Sequence, residues 1–235
     1  MSVEQLCTPA EAPPIARRTT RQGVRPGRAA AGGRPPSADA DWRSFPPLIL
    51  DAPLTAALAA FLEVGYHGST MRDIAGRAGL SVPGVYHYYP SKHDMLVAIL
   101  DLTMGELLER STAARAEGRT PVERFTLLVE CLALFHTHRK ELGFVGASEM
   151  RSLAREPRER VAAIRRRQQQ MVDEEVQQAV LDGDFTTDRP HEASRAVVSL
   201  CTGLSQWYSP SGPTSAADVA QQYVQFALDL VRQVE

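Results

Sequence analysis

The sequence predicts an all-α fold of about nine helices. From residue 51 onward, apolar residues recur three or four positions apart, which is the spacing of a helix with one buried face. No segment after residue 90 alternates apolar and polar residues as a half-buried strand does. Pro121, Pro157, Pro190 and the stretch 209–215 separate the helical patterns from one another. We expect helices near 92–116, 121–138, 140–154, 156–182, 190–208 and 215–233.

Composition narrows the possible functions. The 235 residues are 43% hydrophobic and 23% charged, which suffices for a sizeable core in one or two domains. A net charge of −2 gives no global sign of nucleic-acid binding, so any such binding needs a local basic surface. The three cysteines lie far apart and suggest neither disulfides nor zinc. No apolar run is long enough to cross a bilayer and no signal peptide is visible, which favours a cytoplasmic protein.

Residues 1–46 have the composition of a disordered arm. They are rich in Pro, Gly, Ala and Arg, with no helical or strand period. Six arginines and no acidic residue fall between Arg17 and Arg34. Such an arm can add phosphate or minor-groove contacts, but it can equally be an inert tail.

Two short helices with a tight turn between them are predicted at 70–89. A first helix at 51–64, ended by Gly65, would support them. Thr70 and Asp73 have the spacing of a capping box, and Gly79 can adopt the left-handed conformation that ends a helix. Ser81 can cap the second short helix, with Pro83 in its first turn. This spacing is that of a helix-turn-helix, a unit that places its second helix in the DNA major groove.

The run IAGRAGLSVPGVYHYYPSKHDML, residues 74–96, resembles the DNA-binding domain of the tetracycline-repressor family of bacterial transcription regulators. The resemblance spans about residues 54–100. It implies a helix-turn-helix domain at 47–97, followed by a helical ligand-binding and dimerisation domain at 98–235. It also implies a homodimer that binds a palindromic DNA operator, a small-molecule effector, and no cofactor.

The DNA contacts are expected from the helix-turn-helix. The tip of its second helix would meet base edges, together with His87. By resemblance, Thr70, Tyr86, His87 and Lys92 match positions that grip phosphates, and the first helix of the motif adds two arginines. The candidate DNA-binding residues are Thr70, Arg72, Arg77, Ser81, Val82, Pro83, Gly84, Tyr86, His87, Tyr88 and Lys92.

Bulky side chains in the C-terminal half are candidates for lining an effector cavity, although most such residues simply fill a core. The candidate ligand-binding residues are Phe135, His138, Phe144, Glu149, Met150, Met171, Trp207 and Tyr208. His136 and His138 lie two positions apart on a helix, so their side chains point away from each other and do not favour a shared metal ion. The arginines at 158, 160, 165, 166 and 167 form either a solvated face or a cationic rim for the phosphates of a coenzyme A thioester.

The last two helices carry strong apolar faces, which in this family pair across a two-fold axis. The segment 207–223 also resembles members that sense acyl-CoA thioesters. No nucleophile with its base, Gly-rich phosphate loop or His-Glu-x-x-His motif points to an enzyme. The sequence therefore predicts a ligand-responsive repressor; the alternative is a DNA-bound protein that acts through a protein partner without a small-molecule ligand.

Overall fold

A computed structural model describes residues 41–232, and within this range the chain is all α-helical. The described helices are α1 (Ala52–Gly68), α2 (Met71–Ala78), α3 (Val82–Tyr88), α4 (Lys92–Glu117), α5 (Pro121–His138), α6 (Lys140–Ser148), α7 (Arg155–Leu181), α8 (Pro190–Trp207) and α9 (Ala216–Val231). A short 3₁₀ helix, Met150–Ser152, follows α6. The all-α prediction is confirmed for this part of the chain. None of the helices in the described range is long and apolar enough to cross a membrane.

Helices α1 to α3 form the N-terminal unit around a small core that includes Ile74 and Val85, both fully buried. The Thr70 hydroxyl accepts the N–H of Asp73 while the Asp73 carboxylate accepts the N–H of Thr70, so the predicted capping box is present. Gly79 ends α2 at φ 67°, in the left-handed region that favours glycine. The local rules of capping and chain reversal therefore produce the helix-turn-helix.

The first helix is longer than predicted. Gly65 has φ 74° and breaks the helix as expected, but one more turn continues to Gly68. The buried carboxylate of Glu149 accepts the N–H of Tyr66 directly after the break, at 3.3 Å. This acceptor comes from a distant part of the chain, so the sequence around α1 gives no sign of the extra turn.

The predicted end of the disordered arm, residue 46, lies too late in the chain. Residues 1–40 lie outside the described range, but residues 41–50 pack along the C-terminal helices. Trp42 is buried and its indole N–H donates to Glu117 at 2.6 Å. The guanidinium of Arg110 donates to the carbonyl of Trp42 at 2.7 Å, and Arg110 is itself buried beside Glu106. The packed chain thus begins ahead of residue 46.

Helices α4 to α9 form the C-terminal part, with α5 packed against α4, α7, α8 and α9. The central position of α5 explains why Phe125, Leu128 and Phe135 are fully buried. The predicted helix at 140–154 is wrong beyond residue 148, because the chain there turns through the 3₁₀ helix into α7. The other predicted C-terminal helices agree with the structure to within two residues at each end.

Candidate DNA-binding surface and ligand cavity

Helix α3 presents one polar and aromatic face to solvent. Tyr86 and Tyr88 are about half exposed, and His87 is exposed between them. Val85 and Tyr89 face inward, and the Tyr89 hydroxyl donates to the Asp51 carboxylate at 2.7 Å. This bond fixes the end of α3 to the start of α1. The outward side chains are therefore held on a rigid support, as base-edge and phosphate contacts require.

Two of the predicted contact residues cap helices. Ser81 accepts the N–H of Gly84 at 3.1 Å, and Thr70 forms the capping box described above. Both hydroxyls lie at helix N-termini, where backbone N–H groups and the helix dipole favour an anion. Their first role is to form the helices. A phosphate contact from either side chain stays a prediction.

Arg72 and Arg77 differ in their surroundings. Arg77 donates to Glu63 at 2.6 Å, so part of its charge is compensated within the protein. Arg72 is exposed, and no ion pair involves it within residues 41–232. Val82, Pro83 and Gly84 occupy the first turn of α3, where the sequence placed the helix tip.

Lys92, predicted as a phosphate ligand, contacts carbonyl groups of the protein itself. Its ammonium group donates to the carbonyls of Tyr66 and Ser69 at 2.5 and 2.6 Å and lies 4.4 Å from the centre of the Tyr66 ring. These are the carbonyls left open at the C-terminal end of α1. Burial lowers the pKa of Lys92, although the nearby Glu149 carboxylate opposes this. In the structure Lys92 caps the C-terminal end of α1, and a phosphate contact from this side chain stays a prediction.

The C-terminal helices enclose a cavity of about 340 Å³. It lies among α4, α5, α6, α7 and α8, and its lining is mainly apolar. The lining residues are Met104, Leu107, Leu108, Leu132, His136, Gly143, Ile164, Arg165, Arg166, Gln168, Gln169, Val198 and Thr202. A volume of this size is at the lower end of the range for small-molecule sites.

The eight predicted ligand-binding residues do not line this cavity. Phe135 and Met171 are buried in the main core, and Tyr208 is buried in a second cluster near α9. Phe144 and Trp207 are exposed to solvent by 37% and 59%. The predicted and observed lining residues differ because a bulky residue on a helix has several possible neighbours. The sequence does not say which of these neighbours the residue faces.

The other three predicted ligand residues have other partners. His138 stacks on Phe45 with ring centres 4.6 Å apart, on the side of α5 away from the cavity. Glu149 bonds to Tyr66 and Ser152. Met150 lines a second, open pocket of about 610 Å³ beside Arg151 and Arg158. Ligand contacts by the eight residues stay a prediction.

His136 and Gln168 are the residues that sequence reasoning missed. The sequence pattern does not single out Gln168, and it allows either His136 or His138 to line a ligand pocket without saying which. The side chains of His136 and His138 do point to different sides of α5, as the two-residue spacing predicts. Within residues 41–232, no group of three or more His, Cys, Asp or Glu side chains could hold a metal ion. A histidine and a glutamine inside otherwise apolar helix faces were the available signal.

The N-terminal helices and the cavity are joined through α6. Gly143, on the cavity wall, and Gly146 belong to this helix, and Arg165 donates to the carbonyl of Gly146 at 2.5 Å. Glu149, directly after α6, accepts the N–H of Tyr66 in α1. At the start of α7, the Ala154 N–H donates to the His93 ring at 3.0 Å. A shift of α6 would therefore move the carboxylate that holds α1.

Comparisons with known proteins agree with this architecture. The family model described as "Bacterial regulatory proteins, tetR family" matches residues 54–99, and the model "Tetracyclin repressor-like, C-terminal domain" matches residues 118–231. The HTH-type transcriptional repressor KstR2 of Mycobacterium tuberculosis is 30% identical over 179 residues, covering 74% of this chain and 88% of that protein.

Two solved structures extend the comparison. The ketosteroid transcriptional regulator KstR2 of Mycobacterium tuberculosis superposes with a TM-score of 0.72 at 27% identity, over 77% of this chain and 94% of that one. AibR, solved in complex with isovaleryl coenzyme A and operator DNA, superposes with a TM-score of 0.69 over 75% of this chain and 96% of that one. At 22% identity, AibR is evidence for the shared fold alone.

Proposed function

The chain belongs to the tetracycline-repressor family of bacterial regulatory proteins, and we propose that a small apolar metabolite or an acyl-CoA thioester releases it from its operator. It is a DNA-binding transcriptional repressor of this family and not an enzyme, as its relatives are transcriptional regulators.

The repressor is proposed to bind DNA as a homodimer. Leu200, Trp207, Phe226 and Leu230 on α8 and α9 are exposed by 43% to 59%, a stripe of large apolar side chains that water disfavours. Pairing of these two helices with their copies would bury the stripe and form a four-helix contact. The two α3 helices would then lie in successive major grooves, about 34 Å apart, on a palindromic operator.

Ligand-responsive repression is supported by the position of helix α6, which lies between the cavity and the DNA-binding helices. Gly143, within α6, forms part of the cavity wall, and the residue after the helix, Glu149, holds the break in α1. A ligand regulates DNA binding only if it favours one of two conformations of the protein. A ligand that displaces α6 meets this requirement, because the same helix supports the DNA-binding unit.

An acyl-CoA thioester is supported by two observations. The cavity has the exposed Arg166 among its lining residues, and no ion pair holds this side chain within the described range. A cation at that place favours the phosphates of coenzyme A. In addition, AibR shares the fold and was solved with isovaleryl coenzyme A. The cavity counts against the alternative of a ligand-free protein that acts only through a protein partner, since that alternative predicts a closed core.

A gel-shift titration with native mass measurement tests the DNA-binding part. The purified protein is titrated against its own upstream region and an equal length of unrelated DNA. We expect a specific complex with two chains per operator, and His87→Ala should weaken that complex more than the unrelated one. A complex that contains one chain, or equal binding to both DNAs, would contradict the proposal.

A further inference from the structure

Two buried polar groups on the cavity wall have no hydrogen-bond partner. Within residues 41–232, Nδ1 of His136 and the amide nitrogen of Gln168 are shielded from solvent and unpaired. Leaving such a group without a partner destabilises the folded protein. Buried polar groups in proteins nearly always have a hydrogen-bond partner, so these two exceptions need an explanation. Both groups line the same cavity, which suggests that the missing partner belongs to a ligand.

A third polar group on the wall is the guanidinium of Arg165. It donates to the Gly146 carbonyl, but no carboxylate in the described range lies within 4 Å of it. Burial lowers the pKa of Arg165, which remains a cation. Burial, aided by the nearby Arg165 charge, also lowers the pKa of His136 to about 4, so its ring is neutral at pH 7. The wall therefore offers an unpaired amide N–H and an unpaired imidazole nitrogen, which donates in its Nδ1–H tautomer, beside an uncompensated positive charge.

We propose that the cavity holds the acyl group of the effector and that His136, Gln168 and Arg165 bind its acyl oxygen. This inference rests on the proposed function, because it assumes that the effector enters this cavity. The carboxylate of a free acid and the carbonyl of a thioester share the chemistry that the wall requires. Each offers an oxygen that accepts hydrogen bonds, and a carboxylate adds the negative charge that Arg165 lacks.

The size of the cavity limits what can enter. A volume of 340 Å³ equals about eleven water molecules at ~30 Å³ each, which suits an acyl chain of about eight carbons. Met104, Leu107, Leu132 and Val198 supply an apolar lining for such a chain. A coenzyme A moiety is much larger and must remain outside.

Gly143 keeps the space beside His136 open. A Cβ atom at this position would lie 2.8 Å from Nδ1 of His136 and 3.1 Å from Cβ of Ser205, which is too close for both without movement. Only glycine leaves the face of α6 clear at the unpaired nitrogen. We therefore expect Gly143→Ala to weaken ligand binding, although residue 143 contributes no polar side-chain group.

The test measures ligand binding by the full-length protein without DNA. Isothermal titration calorimetry is run with octanoate, octanoyl-CoA and 1-octanol, whose chains have the same number of carbons. We expect at least one acyl probe to bind, and 1-octanol to bind at least tenfold more weakly because a hydroxyl stands in place of its carbonyl or carboxylate group. Gln168→Leu and Arg165→Met should each weaken acyl binding about tenfold or more. Arg155→Met, an exposed change on the same helix, is the matched control and should leave binding unchanged.

Thermal unfolding separates ligand recognition from a structural role. Gln168→Leu removes an unpaired buried amide, so we expect an unchanged or higher Tm together with lost acyl binding. Three results would overturn the proposal: no binding of either acyl probe at millimolar concentration, equal binding of octanol and acyl probes, or a Gln168→Leu variant that loses stability but binds normally. Operator binding that responds only to a non-acyl ligand would overturn this inference and preserve the repressor. Acyl binding without operator binding would preserve this inference and overturn the repressor function.

Discussion

Lowering the pH from 7.5 to 5.0 should destabilise the fold through His136. The pKa of this histidine is about 4 in the folded protein, against 6.5 for a free imidazole, because burial disfavours the charged ring. At a pH between these two pKa values, His136 is protonated in the unfolded chain and neutral in the folded protein. The contribution to stability is therefore fully present above pH 6.5 and is lost as the pH falls toward 4.

The magnitude follows from the two pKa values. A difference between 6.5 and about 4 corresponds to about 3 kcal/mol in total, at 1.36 kcal/mol for each pKa unit. At pH 5.0 the loss reaches about 2 kcal/mol, because the unfolded ring is then almost fully protonated and the folded ring hardly at all. This is a large part of the net stability of an ordinary domain.

Urea unfolding at both pH values tests this prediction in the wild type and in His136→Phe, at one protein concentration. Phenylalanine keeps a flat ring of similar size but cannot titrate. We expect the wild type to lose about 2 kcal/mol more than the variant between pH 7.5 and 5.0. His87→Phe, an exposed replacement, is the control and should behave as the wild type. Equal losses in the wild type and His136→Phe would refute the reasoning.

Three further predictions follow from the contacts. Lys92→Met should lower the free energy of unfolding by about 1–3 kcal/mol and leave the salt dependence of operator binding unchanged; a salt slope flatter by about one would instead support a phosphate contact. Glu149→Ala should weaken operator binding in the absence of effector, because the Tyr66 N–H loses its acceptor, whereas Glu149→Gln keeps an acceptor and should weaken binding less; equal effects in anisotropy measurements would contradict this. Phe226→Asp should convert the dimer to a monomer in native mass spectra, while a dimer of normal stability would show that α9 lies outside the interface.

The helix-turn-helix could be predicted from the sequence because short-range rules determine it. Thr70 and Asp73 are three residues apart, and their mutual hydrogen bonds form inside one helical turn. Gly79 and Ser81 act on their immediate neighbours in the same way. Such signals do not depend on the rest of the fold, so the sequence alone predicts these helices and their caps.

The contacts of Lys92 at the end of α1 depend on tertiary structure, so the sequence alone does not predict them. Its ammonium group reaches carbonyls 23 and 26 residues earlier in the chain. Sequence alone places a lysine beside a helix N-terminus, where a phosphate site is the natural expectation. Only the path of α1 shows that two carbonyls already occupy the position.

The cavity could not be located from residue types. Phe135 and His136 are adjacent, yet Phe135 is enclosed in the core and His136 reaches the cavity wall. A rotation of about 100° for each residue along a helix decides between the two environments. Gln168 follows three arginines that suggest a solvated face, although it is 94% buried. Packing of α7 against α4 and α5, which the sequence does not encode locally, determines this burial.

The most direct test of the account is the affinity of octanoyl-CoA for the protein with and without saturating operator DNA. If ligand in the cavity favours the form that does not bind DNA, the operator must weaken ligand binding by the same factor as the ligand weakens operator binding. The account predicts a reduction of about 5- to 150-fold, the usual range for coupled sites. Binding of octanoyl-CoA with equal affinity to the free protein and to the operator complex would contradict it.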